Sequence, residues 1–110
     1  MPAYEFKNQT SNAIGTTAVD VYTVPASKKS IVIGCSITNT TGASLPAEVK
    51  LIKADNTEIH LSVSQQIKGG TTTDFLAGKK LVMTAGEKIN VKSKVTSSLD
   101  AVISILEDVD

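Results

Sequence analysis

The sequence predicts an all-β fold, a single-domain antiparallel β-sandwich or jelly roll of about eight strands spanning residues 1–110. Three observations predict it. Apolar residues recur mainly at every second position, the spacing of a strand with one buried face. Turn-forming residues interrupt these runs about every 8–12 residues, the rhythm of sandwiches and jelly rolls. No segment carries a convincing apolar stripe at the helical period.

Near the front, Tyr4 and Phe6 alternate with Glu5 and Lys7, so residues 1–10 read as an edge strand or as an arm reaching towards a neighbour. Val19, Val21 and Thr23 alternate with Asp20 and Tyr22, and Pro25 ends that strand because it offers no N–H to a ladder. Ile31, Ile33, Cys35 and Ile37 form the most apolar run, set against Ser30, Gly34, Ser36 and Thr38. Such β-branched residues are poor helix material and good strand material. Ala47, Val49, Leu51 and Lys53 continue the alternation, and the turn residues Ala54 to Thr57 lead into Ile59, Leu61 and Val63, which together read as a hairpin. A turn of helix over residues 61–68 is the weaker alternative there.

Gly69-Gly70 breaks the chain, after which Thr71 to Asp74 lead into Phe75-Leu76. Leu81-Val82-Met83 follows Gly78 and two lysines, and Ala85-Gly86-Glu87 makes a tight connection to Ile89 and Val91. The last run is Leu99 to Leu106, in which Ala101, Ile103 and Ile105 share a face. These patterns leave two strand orders open, immunoglobulin-like and jelly roll.

A chain of 110 residues has the size of one domain and can bury a core without disulfides or a metal. Its hydrophobic fraction is 41% but its aromatic fraction only 4%, with no Trp, so the core must rest on Val, Ile, Leu and Ala. Eleven basic and eleven acidic residues cancel, which argues against nucleic-acid binding and suits copies that must approach one another. A single cysteine excludes an intrachain disulfide. No apolar stretch approaches the ~20 residues of a membrane helix. The opening MPAYEFKNQT has no signal-peptide pattern, so folding in a reducing cytoplasm is expected. The triplets Asn8-Gln9-Thr10 and Asn39-Thr40-Thr41 then read as loop or strand-end composition rather than glycosylation sites.

Catalytic chemistry finds little to work with. His60 is the one histidine, so no His-based metal cluster can form within a chain, and it reads as a surface or interface residue on the outer face of a strand. Cys35, in step with Ile33 and Ile37, reads as a buried, inert thiol. The carboxylates Asp20, Glu48, Asp55, Glu58, Asp74, Glu87 and Asp100 are scattered singly, and Glu107, Asp108 and Asp110 read as a solvated tail. Gly69-Gly70 lacks the following Lys and helix of a phosphate loop. Lys28-Lys29, Lys79-Lys80, Lys88, Lys92 and Lys94 suit edge-strand protection better than a polyanion grip. The expectation is a non-enzyme with no cofactor and no metal.

Three stretches carry a family resemblance. Val21 to Ala26 followed by Lys29-Ser30-Ile31-Val32 resembles the YTVPA-type strand end, polar turn and β-branched strand of small tailed-phage virion proteins. Gly78 to Val82 with Thr84 to Val91 resembles their L-x-L-x-x-G-D-x-I/L-x-V pattern, and Leu99 to Glu107 their final strand. The patches fall within residues 14–107. Ile105 stands where that family often has Tyr, and Lys28 and Lys29 replace its more usual turn.

The resemblance implies a capsid cement or decoration protein on the exterior of a virion, binding neighbouring major capsid subunits as a dimer or trimer, with no nucleic acid and no membrane as partner. A tail or neck component and a carbohydrate-binding module, with Tyr4 and Tyr22 as its stacking aromatics, are the rivals. The candidate contact residues are Tyr4 and Phe6 in the first strand or arm, Lys28 and Lys29 in the first polar turn, Thr41 and Leu45 in loop 40–46, and Gln65, Gln66 and Lys68 at the start of loop 65–73.

Overall fold

A computed structural model describes residues 4–76 and 79–108. The described residues form nine strands and no helix: β1 (Tyr4–Ile14), β2 (Val19–Thr23), β3 (Lys29–Asn39), β4 (Leu45–Ile52), β5 (Glu58–Ile67), β6 (Thr72–Asp74), β7 (Leu81–Thr84), β8 (Lys88–Ser93) and β9 (Leu99–Asp108). One sheet runs β1-β9-β3, with β6 and β7 both pairing along the far edge of β3; the other runs β2-β8-β4-β5. Every pairing is antiparallel.

β6 lies against Ser36 to Thr38 and β7 against Lys29 to Val32, so the two are halves of one strand position. The chain crosses between sheets at every connection except the β4–β5 hairpin and the β6–β7 link. That order is a jelly roll, which decides between the two orders left open by the sequence. Asn56 closes the hairpin at a positive φ of 70°, a conformation its short polar side chain tolerates. The helical alternative for residues 61–68 gives way to β5, which continues to Ile67.

The core lies between the sheets. Val32, Cys35 and Ile37 of β3, Ile103 and Ile105 of β9, Val49 of β4, and Ile89 and Val91 of β8 are all fully buried. As the composition requires, aliphatic residues supply almost all of it. Their alternation is interrupted where a strand gains an extra residue, because a β-bulge moves all later side chains to the opposite face.

The register of β3 against β9 shifts between Val32 and Gly34, at Ile33. Before the bulge Ser30 and Val32 point inward; after it Cys35, Ile37 and Asn39 do. Ile31 and Ile33 therefore face out, contrary to the uninterrupted alternation expected of them. A similar shift between Asp20 and Tyr22 buries both Val21 and Tyr22. In β5, register shifts against β4 leave Ile59 and Val63 exposed, while Leu61 packs at the core margin.

The candidate N-terminal arm is part of its own sheet from Tyr4 onward, paired in unbroken register with β9 as far as Ser11. Residues 1–3 lie outside the described residues.

Candidate protein-contact surface

Residues directly opposite one another in an antiparallel pair share a face of the sheet. Phe6 of β1 lies opposite Leu106 of β9, Leu106 opposite Ile31 of β3, and Ile31 opposite Val82 of β7. Their chain neighbours Ile105, Val32 and Met83 are buried, so this row lies on the outer face. Phe6 is 75% exposed and Val82 66% exposed, with Leu106 and Ile31 half-buried between them. Ile33 adds to the band at 38% exposure.

Below the band lies a row of small or polar residues, Asn8, Ser104 and Gly34, and then Val102, 41% exposed between Thr10 and Ser36. The outer face of this sheet thus carries an apolar band crossing four strands. Exposed Lys29, at the start of β3, and exposed Lys79 and Lys80, just before β7, lie on opposite sides of the band. Contiguous apolar surface rimmed by charge is the mark of an interaction site, whereas single exposed apolar residues are ordinary.

Beneath the band a polar cluster ties the two sheets together. Glu107 of β9 points inward and is buried. Lys7 Nζ donates to its Oε1 at 3.0 Å and the Tyr22 hydroxyl to its Oε2 at 2.6 Å. With that phenolic proton committed, the Ser30 hydroxyl donates to the Tyr22 oxygen. Burial alone would raise the Glu107 carboxyl, but the hydrogen bonds from Tyr22 and Lys7, with the Lys7 and Lys28 charges, hold it below its usual value. The same burial, reinforced by the hydrogen bond to Glu107, pushes the Tyr22 phenol up to about 12. Glu107 is therefore no part of a solvated tail; Asp110 of that segment lies outside the described residues.

The sequence-derived contact residues separate into two groups at opposite ends of β3. Phe6, Lys28 and Lys29 gather at the banded end, where Phe6 and Lys29 are exposed and Lys28 is half-buried. Tyr4 begins β1 at the same end, its backbone opposite Asp108. At the far end Thr41 is half-buried and committed locally, its one hydroxyl proton shared between Asn39 Oδ1 at 2.7 Å and the Ala43 carbonyl at 2.9 Å.

Leu45 is 3% exposed and belongs to the core, because it opens β4 on the inward face, so its side chain cannot serve as a contact. Gln65 and Gln66 are exposed on the edge strand β5, within the strand rather than in a loop, and Lys68 is exposed just after it. Sequence reasoning missed Ile31, Ile33, Val82 and Leu106 as surface residues. The available signal was the unbroken apolar triplets Ile31-Val32-Ile33 and Leu81-Val82-Met83, which leave an apolar residue for each face.

Chemistry elsewhere is sparse. Among the described residues no group of three or more His, Cys, Asp or Glu side chains could hold a metal ion. His60 is exposed, its Nε2 3.7 Å from Glu48 on the outer face of the second sheet. Cys35 is fully buried, and burial with the nearby Asp74 charge pushes its thiol up to about 12. Tyr22, one of the two aromatics available for sugar stacking, is 4% exposed and engaged with Glu107.

Fold and surface together define an all-β jelly-roll sandwich with an apolar outer face. The whole chain matches a subunit of the disulfide-linked pili of Bacillus endospore appendages, with a TM-score of 0.61 and 9% identity over 100% of this chain and 92% of that one. It also matches the VP2 protein of the infectious bursal disease virus subviral particle, with a TM-score of 0.53 and 13% identity over 97% of this chain. The match spans about a third (32%) of that viral chain. At these identities the likeness is one of fold. No family model and no curated protein sequence matches the chain.

Proposed function

We propose that this protein is a non-enzymatic structural subunit of a virion, a capsid cement or decoration protein that binds neighbouring major capsid subunits on the shell exterior. The observation that carries this reading is the apolar band Phe6–Leu106–Ile31–Val82 on the outer face of a rigid sandwich. A cement needs a stiff scaffold and a contact face repeated many times. Multivalent attachment to a shell then turns modest single contacts into stable binding. The resemblance of residues 21–32, 78–91 and 99–107 to small tailed-phage virion proteins points the same way. So does the recurrence of this architecture in a virus capsid protein.

A second reading, a subunit of a self-assembling fibre, is favoured by the full-length match to a pilus subunit. The disulfide linkage of that pilus has no counterpart at Cys35, which is fully buried. Quantitative mass spectrometry of purified particles from the source virus separates the readings. Cement predicts a copy number equal to that of the major capsid protein or a simple fraction of it. A few copies per particle, or none, would contradict it, and filaments formed by the purified chain alone would favour the fibre.

A further inference from the structure

Each sheet has two outer edges, and three of the four offer only short or broken runs. β2 is five residues long and bulged, β5 has register shifts, and the β6–β7 edge is broken into pieces of three and four residues. Short, bulged or broken edges resist pairing with another chain. β1 is different. It is eleven residues long and contains no proline, and although its register shifts between Ser11 and Ile14, it is unbroken from Tyr4 to Ser11, the stretch that holds Phe6. Its one lysine, Lys7, is turned inward to Glu107 and gives the edge little protection.

We infer that the free edge of β1 pairs antiparallel with β1 of a second copy about a twofold axis through Phe6, joining the two outer sheets into one. The side chains choose that register. Pairing centred on Phe6 sets Phe6 against Phe6 on the outer face, and on the inner face sets Glu5 against Lys7 of the second copy and Lys7 against its Glu5. Centring on Lys7 would oppose two lysines, and centring on Asn8 would oppose Phe6 to Thr10 and Lys7 to Gln9.

Two further observations favour the Phe6 register. Within one copy Glu5 lies directly opposite Glu107, and among the described residues it has no ion-pair partner. Like charges directly opposite are unfavourable, and the second copy's Lys7 supplies the missing cation. The apolar band also becomes continuous across the axis, running from Val82 through Ile31, Leu106 and Phe6 into the same residues of the second copy in reverse. The twofold contact is isologous, as closed dimers usually are. It stands whether or not the larger assembly is a capsid, since it requires this chain alone.

A charge-swap series on the purified chain tests it. Glu5→Lys and Lys7→Glu should each weaken self-association at least about tenfold in sedimentation velocity, because each sets like charges across the axis. An equimolar mixture of the two variants should restore the dimer as a heterodimer, since every cross-axis pair is then opposite in sign. Residues directly opposed across antiparallel strands have Cα atoms about 4.5–5.5 Å apart, within disulfide range. Phe6→Cys should therefore cross-link two copies under mild oxidation, whereas Asn8→Cys in the same strand should not. This second readout stands if Lys7→Glu fails to fold. Variants that associate like the parent, a mixture that stays monomeric, or equal cross-linking at positions 6 and 8 would overturn the proposal.

Discussion

At the scale of single residues, a few buried polar groups tie together segments that are distant in the chain. Glu107 joins the two sheets through Tyr22 of β2 and ties β9 to its own neighbour β1 through Lys7. Its carboxyl is held below its usual value, so the folded state binds a proton there less readily than the unfolded chain does. Its contribution is complete above the unfolded glutamate value of about 4.3 and fades as pH falls through the lower folded value. Glu87 behaves likewise. Burial would raise it, but Lys53 at 2.6 Å and the Thr84 amide at 2.9 Å lower it. Urea unfolding followed against pH should show stability falling as acid is added below about pH 4.3, and Glu107→Gln should flatten part of that fall. At neutral pH the same substitution should cost about 1.5–3 kcal/mol, the range for a hydrogen bond to a charged group. Cys35 gives a second residue-scale expectation. With its thiol raised to about 12 and fully buried, iodoacetamide should leave the native protein unlabelled and react only after denaturation. The burial of Cys35 was legible in the sequence from its place in an apolar run. The burial of Glu107 was not, because its partners Tyr22 and Lys7 lie 85 and 100 positions away in the chain.

At the scale of elements, periodicity located the strands, while bulges decided which side chains they expose. β4 and β9 keep their phase where it matters, and the expected faces of Ala47, Val49 and Leu51, and of Ala101, Ile103 and Ile105, are the buried ones. β3 has an extra residue at Ile33, and the phase reverses there. The one local mark of that bulge is Gly34 inside the strand, since Ile33 itself suits either face. The far end of the sandwich shows a different device. Asn39 is buried, its amide donating to the carbonyls of Ala43 and Ile67 at 2.8 Å each, which holds loop 40–44 against the end of β5. There Gly69 meets the backbone of Gly42 so closely that a Cβ would lie 2.6 Å from a carbonyl carbon. Gly69→Ala should therefore lower stability by about 1–3 kcal/mol, a cost typical of overpacking. Gly42→Ala, where a Cβ meets nothing within 4 Å, should be close to neutral in the same thermal melts.

At the scale of the whole molecule, the two sheets divide the work. The inner faces hold the sandwich rigid, and the outer face of the β1-β9-β3 sheet presents apolar surface that no part of the described chain covers. The jelly-roll order and this band emerge only when distant segments meet: β1 pairs with β9, and β3 accepts both β6 and β7 along one edge. The sequence showed the strands and the poverty of catalytic groups, but apart from Tyr4 and Phe6 it placed contacts on turns and loops, where polar composition is equally suited to solvent. The central claim is that this outer face binds protein. Its most direct test is co-sedimentation of the chain with capsid shells of the source virus, comparing the parent with Val82→Lys/Val102→Lys. Both substitutions lie on exposed outward positions and should leave the Tm nearly unchanged. The account predicts that shell binding by the double variant falls at least about tenfold, as expected when charge enters an apolar contact without a partner. Binding equal to that of the parent, with the fold intact, would contradict it.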